Sequence, residues 1–148
     1  MLYLKAEKHA DGQSAPAWQQ LFDQLATTAK NPDLQKYYQA GAPAPVTSVA
    51  DLPLVALDIE TTGLDPGRDA IVSVGLIPFD LRRIYCSKAR YWVLNPDKPL
   101  TTGSVVIHGI TDAEVLVGHD LRQILPDLLQ ALAGRVVAEK LELPGKSS

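Results

Sequence analysis

The sequence predicts an α/β unit: a three-stranded antiparallel meander, a helix laid on it and the start of a fourth strand, preceded by short N-terminal helices. Three observations carry that expectation. Residues 54–57 are an unbroken apolar run of strand length, with turn chemistry just beyond at Gly63 and Asp65-Pro66-Gly67. Two further runs rich in Ile, Val and aromatic residues follow at short spacing, over 71–77 and 88–94. Then Leu121, Ile124, Leu125, Leu128, Leu129 and Leu132 recur at helical intervals and stop at Gly134, where a helix-ending glycine belongs.

Taken in order, residues 1–13 are polar and without period, so this end is expected to fray. Ser14 is placed to cap a helix whose Trp18, Leu21, Phe22 and Leu25 fall on one apolar stripe. Asn31-Pro32 reads as the N-cap and first residue of a second, short helix with Leu34, Tyr37 and Tyr38 on it and Gly41 closing it. Ala42-Pro43-Ala44-Pro45 favours extended backbone and serves as a linker. After the meander, a loop around Pro96 and Pro99 leads through Val105-Val106-Ile107 into His108-Gly109-Ile110-Thr111. Pro126 falls inside the Leu-rich stripe, so that helix is expected either to kink there or to begin later than its apolar period. Val136-Val137-Ala138 begins a strand that the charged residues from Glu139 cut short. The division expected is a helical extension and linker over 1–45, the α/β unit over 46–138 and an atypical tail over 139–148.

With 148 residues and 46% apolar content, one core is expected, burying roughly two thirds of the unfolded chain's surface. A net charge of -3 supplies no global basic field, which argues against nonspecific coating of nucleic acid and leaves any such contact to local groups. One cysteine, Cys86, cannot close an internal disulfide, and neither a secretory leader nor a long apolar span is evident. A cytoplasmic protein with no membrane contact is the expectation.

Residues 57–63, Leu-Asp-Ile-Glu-Thr-Thr-Gly, put two carboxylates two positions apart at the end of the first strand. Side chains alternate along a strand, so Leu54, Ala56, Asp58 and Glu60 share one face, and Val55, Leu57 and Ile59 the other. In a partly dry site the repulsion between Asp58 and Glu60 would cost roughly 1 to 4 kcal/mol, which a hard divalent cation relieves. The backbone N–H groups of Thr61, Thr62 and Gly63 are then available to face a phosphate or a sugar. The pattern fits metal-assisted phosphodiester hydrolysis, against the plainer alternative of two acids ending a strand in solvent.

On these residues the chain resembles the DEDD exonucleases, of the kind represented by the epsilon proofreading subunit of DNA polymerase III. Residues 57–64 are similar to their first motif, and residues 107–111 to the segment before their first sheet-packing helix. The likeness runs from about Val49 to Ala138. It implies a ribonuclease H-like exonuclease fold and 3′-to-5′ removal of nucleotides with two metal ions, Mg²⁺ or Mn²⁺. It implies that Asp58 and Glu60 are catalytic and metal-binding. Thr61, Thr62, Gly63 and Leu64 would meet the terminal nucleotide, with His108 at the substrate rim. The partners implied are single-stranded DNA or another nucleic-acid 3′ end, and a DNA polymerase or other protein.

The family carries two further acids and a histidine on motifs after the strand that begins at Val136, and the sequence there reads Ala-Glu-Lys-Leu. The expectation is therefore a shortened exonuclease domain whose last ten residues replace the usual continuation. The alternative function is a non-catalytic nucleic-acid-binding or protein-interaction fragment, and a third possibility is a remnant without stable fold. His119-Asp120 does not substitute for the missing motif, since Asp120 reads as a helix N-cap and His119 as an exposed loop residue. Asp65, Asp69 and Asp80 are expected in turns, and Arg82, Arg83, Lys88 and Arg90 on a solvated hairpin rather than on a phosphate-contacting patch.

Overall fold

A computed structural model describes residues 17–63, 65, 67–96 and 110–139. The expectations placed on Ser14, Leu64, His108 and the tail from residue 140 lie outside the described residues. Two helices come first, α1 (Trp18–Thr28) and α2 (Pro32–Gln39). Ala17 stands at the N-cap of α1, with no side-chain cap bond among the described residues. Asn31 caps α2 as its chemistry requires, its Oδ1 accepting from the N–H groups of Asp33 at 2.8 Å and Leu34 at 3.2 Å. Beyond α2 the chain turns at Gly41 with φ +74°, a conformation that costs glycine nothing and other residues a steric clash. The two helices meet through Phe22, whose ring lies 5.9 Å from Tyr37 and 5.5 Å from Tyr38.

The sheet has the order β3-β2-β1-β4. Strand β1 (Leu54–Thr61) pairs antiparallel with β2 (Ile71–Phe79), and β2 antiparallel with β3 (Arg90–Val93), which is the expected meander. Strand β3 is shorter than the apolar run predicts, because Cys86–Lys88 form a 3-10 turn before it. Two helices follow, α3 (Asp112–Leu116) and α4 (Leu121–Leu132), and then β4 (Val136–Glu139) lies parallel to β1 on its other side. Pro126 sits within α4 and the helix neither ends nor begins there; its first turn starts at Leu121, capped by Asp120 and closed by Gln123. After α4 the chain reverses at Gly134 with φ +68°.

The core lies on the face of the sheet opposite Asp58. Ile124 and Leu128 of α4 pack on Val74, Leu94, Leu57 and Trp92, while Val115 of α3 joins Val72 and Ile110. Helix α2 packs in turn against α4. The N-terminal helices therefore form an outer layer over α4, and Trp18 stays half exposed on α1. Strand β1 is buried only at its start: Leu54 and Val55 are inside, Ala56 and Leu57 half-buried, and Asp58 and Ile59 exposed. An unbroken apolar run such as 54–57 suits a strand covered on both faces, and here full burial reaches only its first half. No helix among the described residues is long and apolar enough to cross a membrane.

Candidate functional site

The strand pairing decides what stands beside each carboxylate. Asp58 is opposite Gly75, which is opposite Tyr91; Glu60 is opposite Ser73, which is opposite Val93. Paired residues share a face, so these two rows cross the sheet on the side away from α4. Asp58 and Glu60 therefore face the same way, their Cα atoms about 6.7 Å apart at two strand rises. Asp58 is exposed and Glu60 half-buried, while Ser73 opposite Glu60 is buried. Water at Asp58 screens the repulsion that a dry site would impose, so the pair tolerates itself at the cost of a weaker pull on any cation.

The turn after β1 is built by side chains. A bulge between Glu60 and Thr61 ends the regular register. Thr62 then bridges to the far side: its N–H donates to the carbonyl of Ala70 at 2.9 Å, and its Oγ1 accepts from the Ala70 N–H at 2.9 Å and donates to Asp69 Oδ1 at 3.1 Å. The other Asp69 oxygen accepts from the Asp65 N–H at 2.8 Å. Asp65 in turn accepts from the Gly67 N–H at 2.9 Å. The Thr61 hydroxyl donates to the Gly63 carbonyl at 2.6 Å. Asp65 and Asp69 are thus turn residues as expected, and Asp69 is the clasp of the loop. The expectation for the Thr62 N–H is corrected, because that donor is committed to Ala70 and is not available to a phosphate. Gly63 lets Asp69 sit where it does: a Cβ there would lie 2.5 Å from Asp69 Oδ2 and displace that side chain.

Two carboxylates on one exposed face fit a Mg²⁺-type cation, which takes one or two protein carboxylates and completes its shell with water and phosphate oxygens. Among the described residues no cluster of three or more His, Cys, Asp or Glu side chains is placed to hold a metal. His119 does not join the pair. It is exposed, and its backbone docks on the sheet, with its N–H donating to Val93 and its carbonyl accepting from Asn95, both at 2.9 Å.

The basic residues gather at the other end of the sheet. A cleft of about 450 Å³ lies beside the start of β1, lined by Asp51, Asp80, Arg83, Tyr85, Lys88 and Arg135 among others. Arg83 lies 4.7 Å and Lys88 5.3 Å from the centre of the Tyr85 ring. Asp80 accepts from the Tyr85 hydroxyl and from the N–H groups of Arg82 and Arg83, and these bonds hold its carboxyl below the usual carboxylate range. The sheet separates this cleft from Glu60 by about 20 Å, six strand rises along β1, so it belongs to the hairpin and not to the carboxylate site.

Residues 55–142 match the RNase T exonuclease family model, which is more than half of the chain. The chain belongs to the RNase T exonuclease family. This is the DEDD 3′-to-5′ exonuclease family that the first motif implies, and the fold is its ribonuclease H-like α/β fold. Among curated relatives, the DNA polymerase III subunit epsilon-like protein of Rhodobacter capsulatus is 32% identical over 79 residues, 53% of this chain and 11% of that protein. The PolC-type DNA polymerase III of Thermotoga maritima is 28% identical over 91 residues, 62% of this chain and 6% of that protein. The chain therefore spans only a small part of the length of either. Of the solved structures, exonuclease I from Methylocaldum szegediense superposes with a TM-score of 0.52 at 23% identity, covering 60% of this chain and 20% of that one. Exonuclease I of E. coli, solved with a dT13 oligonucleotide, gives a TM-score of 0.51 at 18% identity with the same coverage. These two show the shared fold.

Sequence reasoning placed the carboxylates of this exonuclease domain on one face but passed over their cross-strand neighbours. Gly75 is the signal that was available. A glycine inside an Ile/Val-rich strand marks a point of close approach, here by the Tyr91 ring, whose Cδ2 would lie 3.4 Å from a Cβ on Gly75.

Proposed function

We propose that this exonuclease-family chain acts in the removal of nucleotides from a nucleic-acid 3′ end, in the manner of the DNA polymerase III epsilon type, with Asp58 and Glu60 as ligands of Mg²⁺ or Mn²⁺. The observation that carries the proposal is the β1–β2 register, which sets both carboxylates on one face beside a glycine. A bound cation would supply Lewis-acid stabilisation of charge developing on the phosphoryl oxygens. The chain's own part is to hold the two carboxylates at fixed spacing on β1. The Thr62–Asp69 clasp holds the backbone of Thr61 and Gly63 next to them, where the terminal nucleotide would lie. Leu64 and His108 complete the proposed contact set. The names of the relatives support a DNA polymerase as the setting; the substrate proposed is single-stranded DNA or another nucleic-acid 3′ end, with the polymerase or another protein as partner.

The test is release of mononucleotides from 3′-labelled single-stranded DNA by the full chain with Mg²⁺ or Mn²⁺. Release that stops in EDTA and in Asp58→Ala supports the proposal. A second reading is favoured by the lack of a third metal-binding side chain beside the pair among the described residues. In that reading the domain binds a nucleic acid or protein partner without turnover. No release, accompanied by DNA binding that survives Asp58→Ala, would establish it.

A further inference from the structure

We infer that Tyr91 is the surface on which the base at an unpaired 3′ end stacks. This rests on the proposal that Asp58 and Glu60 face a nucleic-acid end, and it adds what holds the base and which ends are accepted. Tyr91 lies in the same cross-strand row as Asp58, with Gly75 between them, and it is 63% exposed. In an ordinary sheet the side chain of the middle residue would stand between its two neighbours. Glycine leaves that place empty, and the Tyr91 ring leans into it, its Cδ2 ending 3.4 Å from where a Cβ would be. The Asp58 and Tyr91 backbones are about 10 Å apart, two strand spacings, and the leaning ring closes part of that gap. The outcome is an aromatic surface, open to solvent, within one nucleotide's reach of the carboxylate.

Such a surface selects by stacking and not by hydrogen bonds. Every base offers a π-face, so little preference among the four bases follows. A base inside a duplex is already stacked and paired and must be extracted before it can use Tyr91, whereas an unpaired end is free to do so at once. The ligand class is therefore a single-stranded 3′ end of any sequence.

The experiment uses the full chain and DNA 12-mers carrying 2-aminopurine either at the 3′ terminus or at an internal position. Fluorescence is read in Ca²⁺ so that binding is observed without relying on turnover. Wild type and Tyr91→Phe are expected to quench the terminal probe and leave the internal one unchanged. Tyr91→Ala and Tyr91→Leu are expected to lose the quench and bind about tenfold more weakly, in line with the loss of one base–aromatic stack. The leucine keeps an apolar, strand-compatible side chain without a π-face, so a loss in both variants is not a folding effect. Unchanged affinity and quenching in Tyr91→Ala, or equal affinity for a blunt duplex, would overturn the inference; either result overturns this inference alone where binding still responds to Asp58→Asn, and the parent proposal as well where it does not. If wild type binds no oligonucleotide, the parent proposal fails and this one with it.

Discussion

Gly63→Ala tests whether the turn beside the carboxylates is held as described. An alanine Cβ would fall 2.5 to 2.7 Å from all three atoms of the Asp69 carboxyl group, about 0.9 Å inside ordinary contact. The Asp69 side chain is the element able to move, and moving releases its bonds to the Asp65 N–H and the Thr62 hydroxyl. Hydrogen bonds to a charged group contribute about 1.5 to 3 kcal/mol each when shielded. Both bonds here are partly open to water, so the pair together is worth about 2 kcal/mol. That also sets the scale for the substitution, since the three atoms nearest the new methyl group all belong to Asp69. Urea denaturation of the full chain should show a loss of about 2 kcal/mol, and thermal denaturation a fall in Tm of about 8 °C for a domain of this size. The decisive comparison is a double-mutant cycle. In an Asp69→Ala background the second change should cost almost nothing, because the atoms it strikes are gone. A full loss in both backgrounds would refute the clasp.

Further outcomes follow from single contacts. Asn31→Ala removes the acceptor for two N–H groups of α2 and should cost about 1 kcal/mol in urea unfolding, with Asn31→Asp largely retaining stability. Leu94→Ala empties a position only 2% exposed between β2 and α4 and should cost about 3 kcal/mol, whereas Leu116→Ala, 75% exposed, should cost little. Glu114 accepts from the Thr111 N–H and hydroxyl at the start of α3, and these bonds hold its carboxyl below the usual 4.5. Its folded value being the lower one, its contribution is complete above the unfolded value near 4.5 and is lost as pH falls through the folded value. Stability of Glu114→Gln should accordingly vary less with pH than wild type below pH 5.

The sequence was most legible where one residue's chemistry answers a local need. Asn31-Pro32, Gly41, Asp120 and Gly134 each do in the structure what their types predict, because caps and positive-φ turns are settled within a few residues. The meander was legible for the same reason, since short connections leave antiparallel pairing as the economical arrangement. Burial along β1 was not. The apolar run at 54–57 gives no sign that full burial ends after Val55 and that Leu57 is only half-buried against the core, because that depends on which elements reach each face of the sheet. Nor does the sequence reveal that the Thr62 N–H is occupied, as Ala70 comes opposite it only through the β1–β2 bulge. Asp58 and Glu60 were legible as a pair because alternation is local. Tyr91 was not, since its place beside Asp58 is a matter of register across three strands.

The central claim is that Asp58 and Glu60 act as one cation-holding pair, and Mn²⁺-induced broadening of the amide NMR signals of the full chain tests it most directly. Substoichiometric Mn²⁺ should broaden first the amides of Asp58, Ile59 and Glu60 and, across the strands, those of Ser73 and Gly75. Asp58→Asn combined with Glu60→Gln should remove the effect. Broadening that instead centres on Asp51 and Asp80 at the far end of the sheet, or on Asp65 and Asp69 in the turn, and that survives the double substitution, would contradict it.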